Sequence, residues 1–443
     1  MKSKFKLDVW GYITIALLGA YAIFLLYPML NLLRRSVYGP DGVFTLGYFS
    51  KFFGKKYYFG TLLNSLKVTL CTTVTTLLLG APLAYFFTMY KIRGNGVLRI
   101  LIILSSMSAP FIGAYSWILL MGRSGVVTTF LKDTFNIQGI NIYGFVGILV
   151  VLTLQLYPLV FLYVSGALKN IDQSLMEASL NLGCSGVKRF FSLIIPLVMP
   201  TILASSLLVF MRALADFGTP MLIGEGYRTF PVLIYNEFMG EVSGDDGFAA
   251  AISIIAIIIT ALIFMAQKHA SNKLAFTMNA LHPIEPKELK GVRGVLIHLY
   301  SYLVVGLSIV PQCYVIYTSF LKTEGLVFKD GYWLGSYRTA FSKMGSSIVN
   351  TFVIAGSALV VIILMAVLIA YLAVRRRKSE IDGTVGIVVQ MGERLGLDLP
   401  LNRRLVSMVK EIEEGRRMIC TENLLELKAE YGKIYPEGLK QLL

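Results

Sequence analysis

The sequence predicts an all-α polytopic membrane protein with about eight transmembrane helices and a small helical tail. Of its 443 residues, 56% are hydrophobic and only 15% are charged, and the mean hydropathy is +0.68. Soluble domains carry about 25% charged residues, so this composition excludes an ordinary soluble enzyme or binding domain. Apolar runs recur as far as Val374, and about 20 such residues suffice for one crossing of a bilayer.

Eight apolar runs define the predicted spans. The first follows the basic start of the chain and lacks a small-residue cleavage site, so we expect a retained anchor rather than a signal peptide. The spans lie near residues 11–33, 61–89, 97–121, 142–168, 196–216, 248–267, 296–320 and 349–374. Gly80, Pro110 and Pro158 fall inside spans, where we expect kinks or close packing rather than chemistry.

The chain has a formal net charge of +15, but the placement of its basic residues favours a membrane over nucleic acid. Lysine and arginine are denser at the N-terminus and in the loops 90–98, 169–195 and 268–294 than in the alternate loops. Basic residues at span ends face anionic lipid and stay in the cytoplasm. We therefore expect a multi-pass protein with its N-terminus and C-terminal tail in the cytoplasm, and no nucleic-acid partner.

No metal or catalytic cluster is predicted. The four cysteines are scattered, without the spacing of a zinc site or of a disulfide framework. The histidines His269, His282 and His298 fall near span ends with no serine, cysteine or aspartate constellation beside them.

An internal repeat is predicted within the membrane part. Asn64-Ser65 begins a span that reaches Ala84-Tyr85, and Asn350-Thr351 begins another that reaches Ala370-Tyr371, 286 residues further on. A match at one fixed offset on both flanks of an apolar run indicates a duplicated unit.

Composition changes sharply after Val374. The residues that follow are rich in charge and place apolar side chains at helical spacing, in two stretches separated by Pro400. Together with the repeat, this change predicts three parts: a first half over residues 1–290, the start of a second half over 291–374, and a helical tail over 375–443.

Segment 169–196 is a charged, glycine-punctuated interruption between two apolar runs, and it is longer than a connector requires. Asp172 or Ser174 can cap a short helix there, and Ser174 with Glu177 fits the capping box S-x-x-E. Gly183 supplies the left-handed backbone that ends such a helix.

The short helix is predicted to be amphipathic. Its apolar face comprises Ile171, Leu175, Ala178 and Leu182, widened by Met176 and Leu180. Such a face either docks on a partner protein or rests on lipid, and a lipid-bound helix carries basic residues on its polar side. The polar side of this helix carries one basic residue, Lys169, and two acidic residues, Asp172 and Glu177. This balance favours docking on a protein over binding to lipid.

The same segment resembles the EAA loop of permease subunits in ABC importers, E-A-A-x3-G-x9-I-x-L-P. The matching residues are Glu177, Ala178, Ser179, Gly183 and Leu193 to Pro196, with Ser179 and Leu193 as mild departures. The adjacent RALADFGTP at 212–220 resembles the permeases for ferric iron and related anions, whose single chains fuse two homologous halves.

This resemblance implies the type I ABC importer permease fold in the inner membrane of a bacterium. Glu177, Ala178, Ser179, Gly183 and Pro196 would couple the spans to a separate cytoplasmic ABC ATPase. ATP would be bound by that partner, and no cofactor is expected in this chain, which has no G-x-x-x-x-G-K-[ST] sequence. An external solute-binding protein would deliver the solute. The resemblance favours ferric iron, while phosphonate, thiamine and polyamine stay open.

Arg212 and Asp216 are the candidates for a translocation path. Charges within a span are costly and face a partner or a wet cavity, and residues four apart can pair on one helix face. The alternative is a pair at the outer interface whose arginine extends to water.

The tail resembles the C-terminal domain of ketopantoate reductases through Ser379 to Asp382 and Pro400 to Asn402. Glu380 would match the substrate-site acid of that family. The 443 residues contain no G-x-G-x-x-G fingerprint for a dinucleotide, so we expect no enzyme activity. A membrane-anchored reductase-like fragment and an ATPase-independent transporter are the alternative functions.

By the repeat offset, a second EAA glutamate would lie beyond Leu443. We therefore expect a truncated second half, and either two copies of the chain supply both coupling loops or the importer is inactive.

Overall fold

The structure is a computed structural model that describes residues 9–39, 41–137, 141–184, 186–240, 245–273, 284–324, 327–375, 385–413, 416–418 and 420–434. The chain divides into two compact units, one comprising Ala20–Ser342 and the other Met1–Gly19 with Lys343–Leu443.

Helices dominate both units. Before the tail, the helices in chain order are α1 (Val9–Tyr21), a π-helical turn (Ala22–Leu26), α2 (Tyr27–Val37), α3 (Gly47–Gly54), α4 (Lys56–Met89), α5 (Asn95–Ser106), α6 (Pro110–Met121), α7 (Val126–Phe135) and α8 (Phe145–Lys169). They continue with α9 (Gln173–Asn181), α10 (Gly186–Arg189), a second π-helical turn (Phe190–Ile194), α11 (Ile195–Ala215), α12 (Gly218–Ile223), α13 (Phe230–Met239), α14 (Asp246–Lys273), α15 (Val292–Ser319) and α16 (Gly335–Arg375). A short antiparallel pair of strands, β1 (Leu321–Glu324) and β2 (Val327–Tyr332), lies between α15 and α16. The tail contains α17 (Val385–Arg394), α18 (Pro400–Glu413) and α19 (Thr421–Ile434).

Seven helices in the described part of the chain are long and apolar enough to cross a membrane, and there are eight spans if the bent pair of α5 and the helices after it counts as one. The seven are Gly11–Val37, Lys56–Met89, Phe145–Lys169, Phe190–Ala215, Asp246–His269, Val292–Ser319 and Gly335–Leu372. The predicted polytopic all-α architecture is therefore confirmed.

The span predicted near 97–121 is not one continuous helix. Helix α5 ends at Ser106, α6 begins at Pro110, and the axis bends by 104° between them. Proline has no amide hydrogen to donate to the preceding turn, and it disfavours helical backbone in the residue before it. Ala109 accordingly has extended backbone, with φ −63° and ψ 140°. The kink expected at Pro110 is therefore present, and it is sharp enough that Pro110 begins a new helix.

The core of the larger unit lies where α4 packs on α8 and α11. Its largest fully buried side chains include Tyr157 and Phe161 on α8 and Phe87 on α4. Gly80 allows this approach, because a Cβ at that position would lie 2.8 Å from the Tyr157 carbonyl oxygen. Gly80 is thus a close-packing position, as the sequence predicts.

Upstream of the matched residues, the helices that carry the two copies of the predicted repeat differ. In the first, the backbone breaks at Lys55, so that α3 and α4 are separate helices. In the second, Gly335–Arg375 is a single helix. In Lys56–Met89, a third of the most apolar 18-residue stretch is buried within the chain. In Gly335–Leu372, none of the corresponding stretch is buried.

The tail helices pack in sequence, α17 on α18 and α18 on α19. Helix α18 begins at Pro400, which suits the first turn because an amide hydrogen is not needed there. The reductase-like residues 379–382, including Glu380, lie outside the described residues.

A cluster of charges joins α18 to α19. The Arg417 guanidinium donates to Glu426 Oε2 at 2.7 Å and to Glu411 Oε2 at 3.0 Å, and Arg404 also donates to Glu426. Hydrogen bonds from Arg417 and Arg404 lower the pKa of Glu426 from its ordinary value of 4.5 to about 2. The folded tail therefore favours the ionised form of Glu426 more than the unfolded tail does.

Acidification is expected to loosen this cluster. Because the pKa of Glu426 is depressed in the folded tail, the stabilisation is complete above about pH 4.5 and is lost as the pH falls towards about 2. A spin label on Cys420, with the other three cysteines replaced by serine, should gain mobility over that range. The Glu426→Gln variant should show little pH dependence there, and identical curves for the two proteins would contradict the assignment.

Candidate coupling loop and solute pathway

Helix α9 forms the first part of the loop and is capped by Asp172, whose Oδ1 accepts from the Ser174 amide at 2.9 Å. Of the two predicted caps, Asp172 is therefore the one that forms. The predicted capping box does not: Glu177 instead accepts from Gln173 Nε2, at 2.9 Å. Glu177 lies on the exposed side of the helix.

Gly183 terminates the helix as predicted. Its φ is +76°, and the Cys184 amide donates back to the Ser179 carbonyl at 2.9 Å. A Cβ on Gly183 would meet nothing within 4 Å, so this position requires glycine for its backbone conformation and not for space. Ser185, which could cap the following helix by its sequence position, lies outside the described residues.

The two faces of α9 have different surroundings. Leu175, Ala178 and Leu182 are exposed, and Leu182 retains 84% of its accessible surface. The opposite side is buried, where Ser179 Oγ donates to the Met176 carbonyl at 2.8 Å.

Two residues were therefore placed wrongly on the apolar face. Ile171 and Met176 are buried, at 2% and 9% exposure, because the chain folds back on this side of the helix. Three exposed side chains form what we call the α9 stripe: Leu175, Ala178 and Leu182, with Glu177 beside them. Leu180, also predicted on this face, is 43% exposed.

The return to the membrane is firmly packed. After α10 the chain makes a π-helical turn, in which Ile194 is almost fully buried and the Phe190 ring meets the Tyr85 ring edge-on at 5.0 Å. Pro196 occupies the first turn of α11. The segment that follows α9 thus contacts α4 through Phe190 and Tyr85 and continues directly into α11.

A small pocket of about 80 Å³ lies behind α9, and Glu177, Arg189, Tyr85 and Lys287 are among its lining residues. The residues after Ile284 form its far wall, since the Lys287 amide donates to the Met89 carbonyl at 2.9 Å. Arg189 Nε is buried in the structure without a hydrogen-bond partner.

Arg212 and Asp216 do not form the predicted pair. Helix α11 ends at Ala215, and Asp216 already has extended backbone with ψ 120°, so it is not on the helix face of Arg212. Its Oδ1 instead accepts from the Thr219 amide at 2.9 Å, at the start of α12. Arg212 is exposed and has no ion pair among the described residues.

A polar cavity lies at the break between α5 and α6, where sequence reasoning found no site. Its polar lining comprises Ser105, Ser108, Ser116, Gln155, Ser308 and Gln312, contributed by the α5–α6 region, α8 and α15. Its volume of about 20 Å³ has room for about one water molecule. The feature of the sequence that could have indicated this cavity is the presence of two polar amide side chains, Gln155 and Gln312, within otherwise apolar spans.

Hydrogen bonds across this cavity connect three helices. Gln312 Nε2 donates to the Ser105 carbonyl at 2.9 Å, and the hydroxyls of Tyr157 and Ser308 lie 2.9 Å apart. Gln155 Oε1 is buried without a partner. No cluster of three metal-ligating histidine, cysteine or acidic side chains occurs among the described residues.

Two protein-family models match this chain. The binding-protein-dependent transport system inner membrane component matches residues 68–275, a range that contains α8, the α9 loop and α11. The ketopantoate reductase PanE/ApbA C terminal matches residues 373–413.

Curated transport permeases are similar along much of the chain. It is 27% identical over 367 residues to the putative ferric transport system permease protein FbpB 1 of Haemophilus influenzae, covering 80% of this chain and 56% of that protein. It is 28% identical over 362 residues to the ferric transport system permease protein FbpB of Actinobacillus pleuropneumoniae, with coverages of 80% and 52%. The spermidine/putrescine transport system permease protein PotB of Haemophilus influenzae is 29% identical over 273 residues, covering 59% of this chain and 94% of that protein. The chain therefore spans about half the length of these ferric permeases.

The fold is also found in a solved structure. The crystal structure of a bacterial alginate ABC transporter, in complex with an alginate pentasaccharide-bound periplasmic protein, matches with a TM-score of 0.52 and 16% identity. The match covers 60% of this chain and 95% of that one, and at this identity it shows the fold alone. The family model, the relatives and the fold agree: this chain is a multi-pass membrane protein similar to the inner-membrane permeases of binding-protein-dependent ABC importers.

Proposed function

We propose that this chain is a membrane-spanning subunit of an ATP-driven importer and that its α9 loop docks on a separate cytoplasmic ABC ATPase. The observation that carries the proposal is the α9 stripe. A helix fixed by its Asp172 cap and its Gly183 turn has one face buried in the permease, while Leu175, Ala178 and Leu182 remain exposed. Exposed apolar side chains on a rigid support are typical of a protein interface.

The remaining parts of the proposed assembly are a separate ATPase and an external solute-binding protein. The ATPase would bind ATP, and its movement would pass through Phe190 and Ile194 to α4 and α11. An external solute-binding protein would deliver the solute, and both the N-terminus and the tail would lie in the cytoplasm. Ferric iron is the proposed solute, since two of the similar permeases are named for it. Preferential ATP-dependent uptake of ferric iron over spermidine would support this choice.

The tail is not proposed to be an enzyme. The curated relatives are transport permeases, and the match to the reductase C terminal covers only residues 373–413. We infer that the full chain does not bind NADPH, and a saturable fluorescence change on NADPH titration would contradict this.

Charge reversal on the α9 stripe tests the proposal. Glu177→Arg should reduce co-purification of the tagged full chain with an ABC ATPase to background, because it reverses the charge beside the exposed apolar side chains of the docking surface. Asp133→Arg provides a matched control, since Asp133 is an exposed carboxylate on α7, away from the loop. Equal recovery of the ATPase with both variants, or no ATPase with the unaltered chain, would refute the coupling function.

A further inference from the structure

We propose that the cavity at the α5–α6 break is the solute-holding site of the pathway and that it selects cations through uncharged oxygen atoms, with Gln155 as the residue that contacts the solute. The inference rests on the proposed importer function and specifies what passes through it. It concerns the membrane interior and is independent of any external receptor.

The first observation is the broken helix itself. A span interrupted inside the membrane exposes backbone groups that lack helical partners, and such groups are tolerated only where protein or a wet cavity satisfies them. The break spans Met107 to Ala109, and the lining residues Ser105 and Ser108 lie at and after the carboxyl end of α5. The polar groups of the break therefore open onto the cavity.

The second observation is the sign of the local field. The carboxyl end of a helix carries a partial negative charge, and Ser105 at this end of α5 lines the cavity. Of the first turn of α6, only Gly113 lines the cavity, and its amide already donates to the Ala109 carbonyl at 2.8 Å, so no free amide of that turn faces the cavity. The helix ends consequently favour a cation over an anion.

The third observation is an acceptor left without a donor. Gln155 Oε1 is buried and unpartnered, while its Nε2 makes only a long contact of 3.5 Å to the Ser108 carbonyl. A buried amide oxygen without a hydrogen bond is unfavourable. A solute that presents N–H or O–H donors, such as an ammonium group or the water shell of a metal ion, would satisfy it.

The absence of charged side chains from the lining suits a site that binds the solute transiently during transport rather than one that holds it permanently. All six polar lining residues are serine or glutamine, so no carboxylate, imidazole or thiolate would hold a cation permanently. Conduction requires sites that bind well enough to admit a solute and weakly enough to release it. Only about 20 Å³ is open in this structure, so the Gln312–Ser105 and Tyr157–Ser308 bonds must part to admit a solute larger than a water molecule.

Trp117 lines the same cavity and provides a direct readout. The full chain with Trp10→Phe and Trp333→Phe, placed in lipid nanodiscs, retains Trp117 as its single tryptophan. Caesium should quench its fluorescence about threefold more effectively than iodide, because local electrostatic fields concentrate ions of one sign. Spermidine and hexaamminecobalt(III), which imitates a hydrated trivalent metal ion, should each be tested for their ability to protect Trp117 from quenching by caesium. Stronger protection by spermidine indicates that the site prefers an ammonium cation, and stronger protection by hexaamminecobalt(III) indicates a hydrated metal ion.

Variants of Gln155 test the residue assignment. Gln155→Leu should abolish the preference for caesium, Gln155→Lys should reverse it, and Gln155→Glu, of the same size, should increase it. Thr153→Val is the matched control on the same helix, because its hydroxyl pairs with Thr75 and does not line the cavity; it should leave quenching unchanged.

Quenching by iodide alone, by both ions equally or by neither would overturn the proposal, as would an unchanged preference in Gln155→Leu. Because this measurement uses the chain without an ATPase, it can fail while co-purification with an ATPase succeeds. The two proposals are therefore separable.

Discussion

Replacement of Gly183 by valine is expected to abolish both co-purification with an ABC ATPase and ATP-dependent uptake. The φ of +76° at this turn suits glycine, and a β-branched residue is strained in that region of backbone space. The strain is relieved by rearrangement of the turn, where the Gly183 amide donates to Leu180 and the Cys184 amide to Ser179. The end of α9 would then move, and with it the exposed Leu182.

Gly94→Val is the control for backbone strain alone. Gly94 has a φ of +71°, and a Cβ there would also meet nothing within 4 Å, so the two substitutions strain the backbone in the same way. Each should cost about 1–3 kcal/mol of stability. Only Gly183→Val should lose the ATPase; if Gly94→Val loses it to the same degree, the effect is general destabilisation and the α9 loop is not the docking element.

Tyr157→Ala is expected to produce the largest loss of stability in the membrane core. Tyr157 is fully buried on α8, at the contact with α4, and its hydroxyl lies 2.9 Å from Ser308 Oγ on α15. Removing a large aromatic ring from such a site costs about 3–5 kcal/mol through lost packing and the cavity left behind. Thermal unfolding in detergent should therefore begin at a markedly lower temperature than for the unaltered chain.

Two further variants separate packing from hydrogen bonding. Tyr157→Phe removes only the hydroxyl and should cost about 0.6 kcal/mol, since interhelical hydrogen bonds within membranes are individually weak. Tyr163→Ala truncates a tyrosine on the same helix that is 45% exposed, and it should have a small effect. A loss for Tyr163→Ala as large as that for Tyr157→Ala would contradict the described packing.

Predictions from local pattern succeeded wherever a few neighbouring residues decide the outcome. Hydropathy located the spans, because an 18-residue apolar helix has one favourable environment irrespective of its neighbours. Gly183 was identified as a helix end for the same reason, since its left-handed turn is a property of the local backbone. Asp172 was one of two candidate caps, and both lie within three residues of each other.

Predictions failed wherever a distant segment decides. Ile171 and Met176 match the apolar spacing of α9 as well as Leu175 does, and only the chain packed behind the helix distinguishes the buried from the exposed positions. Arg212 and Asp216 have the spacing of a helical pair, yet α11 ends between them and the Thr219 amide takes the carboxylate. The spacing of residues in the sequence shows which side chains can share a helix face, but it does not show which distant segments pack against that face.

Residue order alone determined that this chain is a helical membrane protein and that a capped, glycine-terminated helix interrupts its apolar spans, because hydropathy and backbone preference act over a few residues. Tertiary structure alone decided the exposed set of α9 side chains and the meeting of Ser105, Gln155 and Gln312 around one cavity. Those features depend on contacts between residues far apart in sequence, whose free energy arises only when the helices pack.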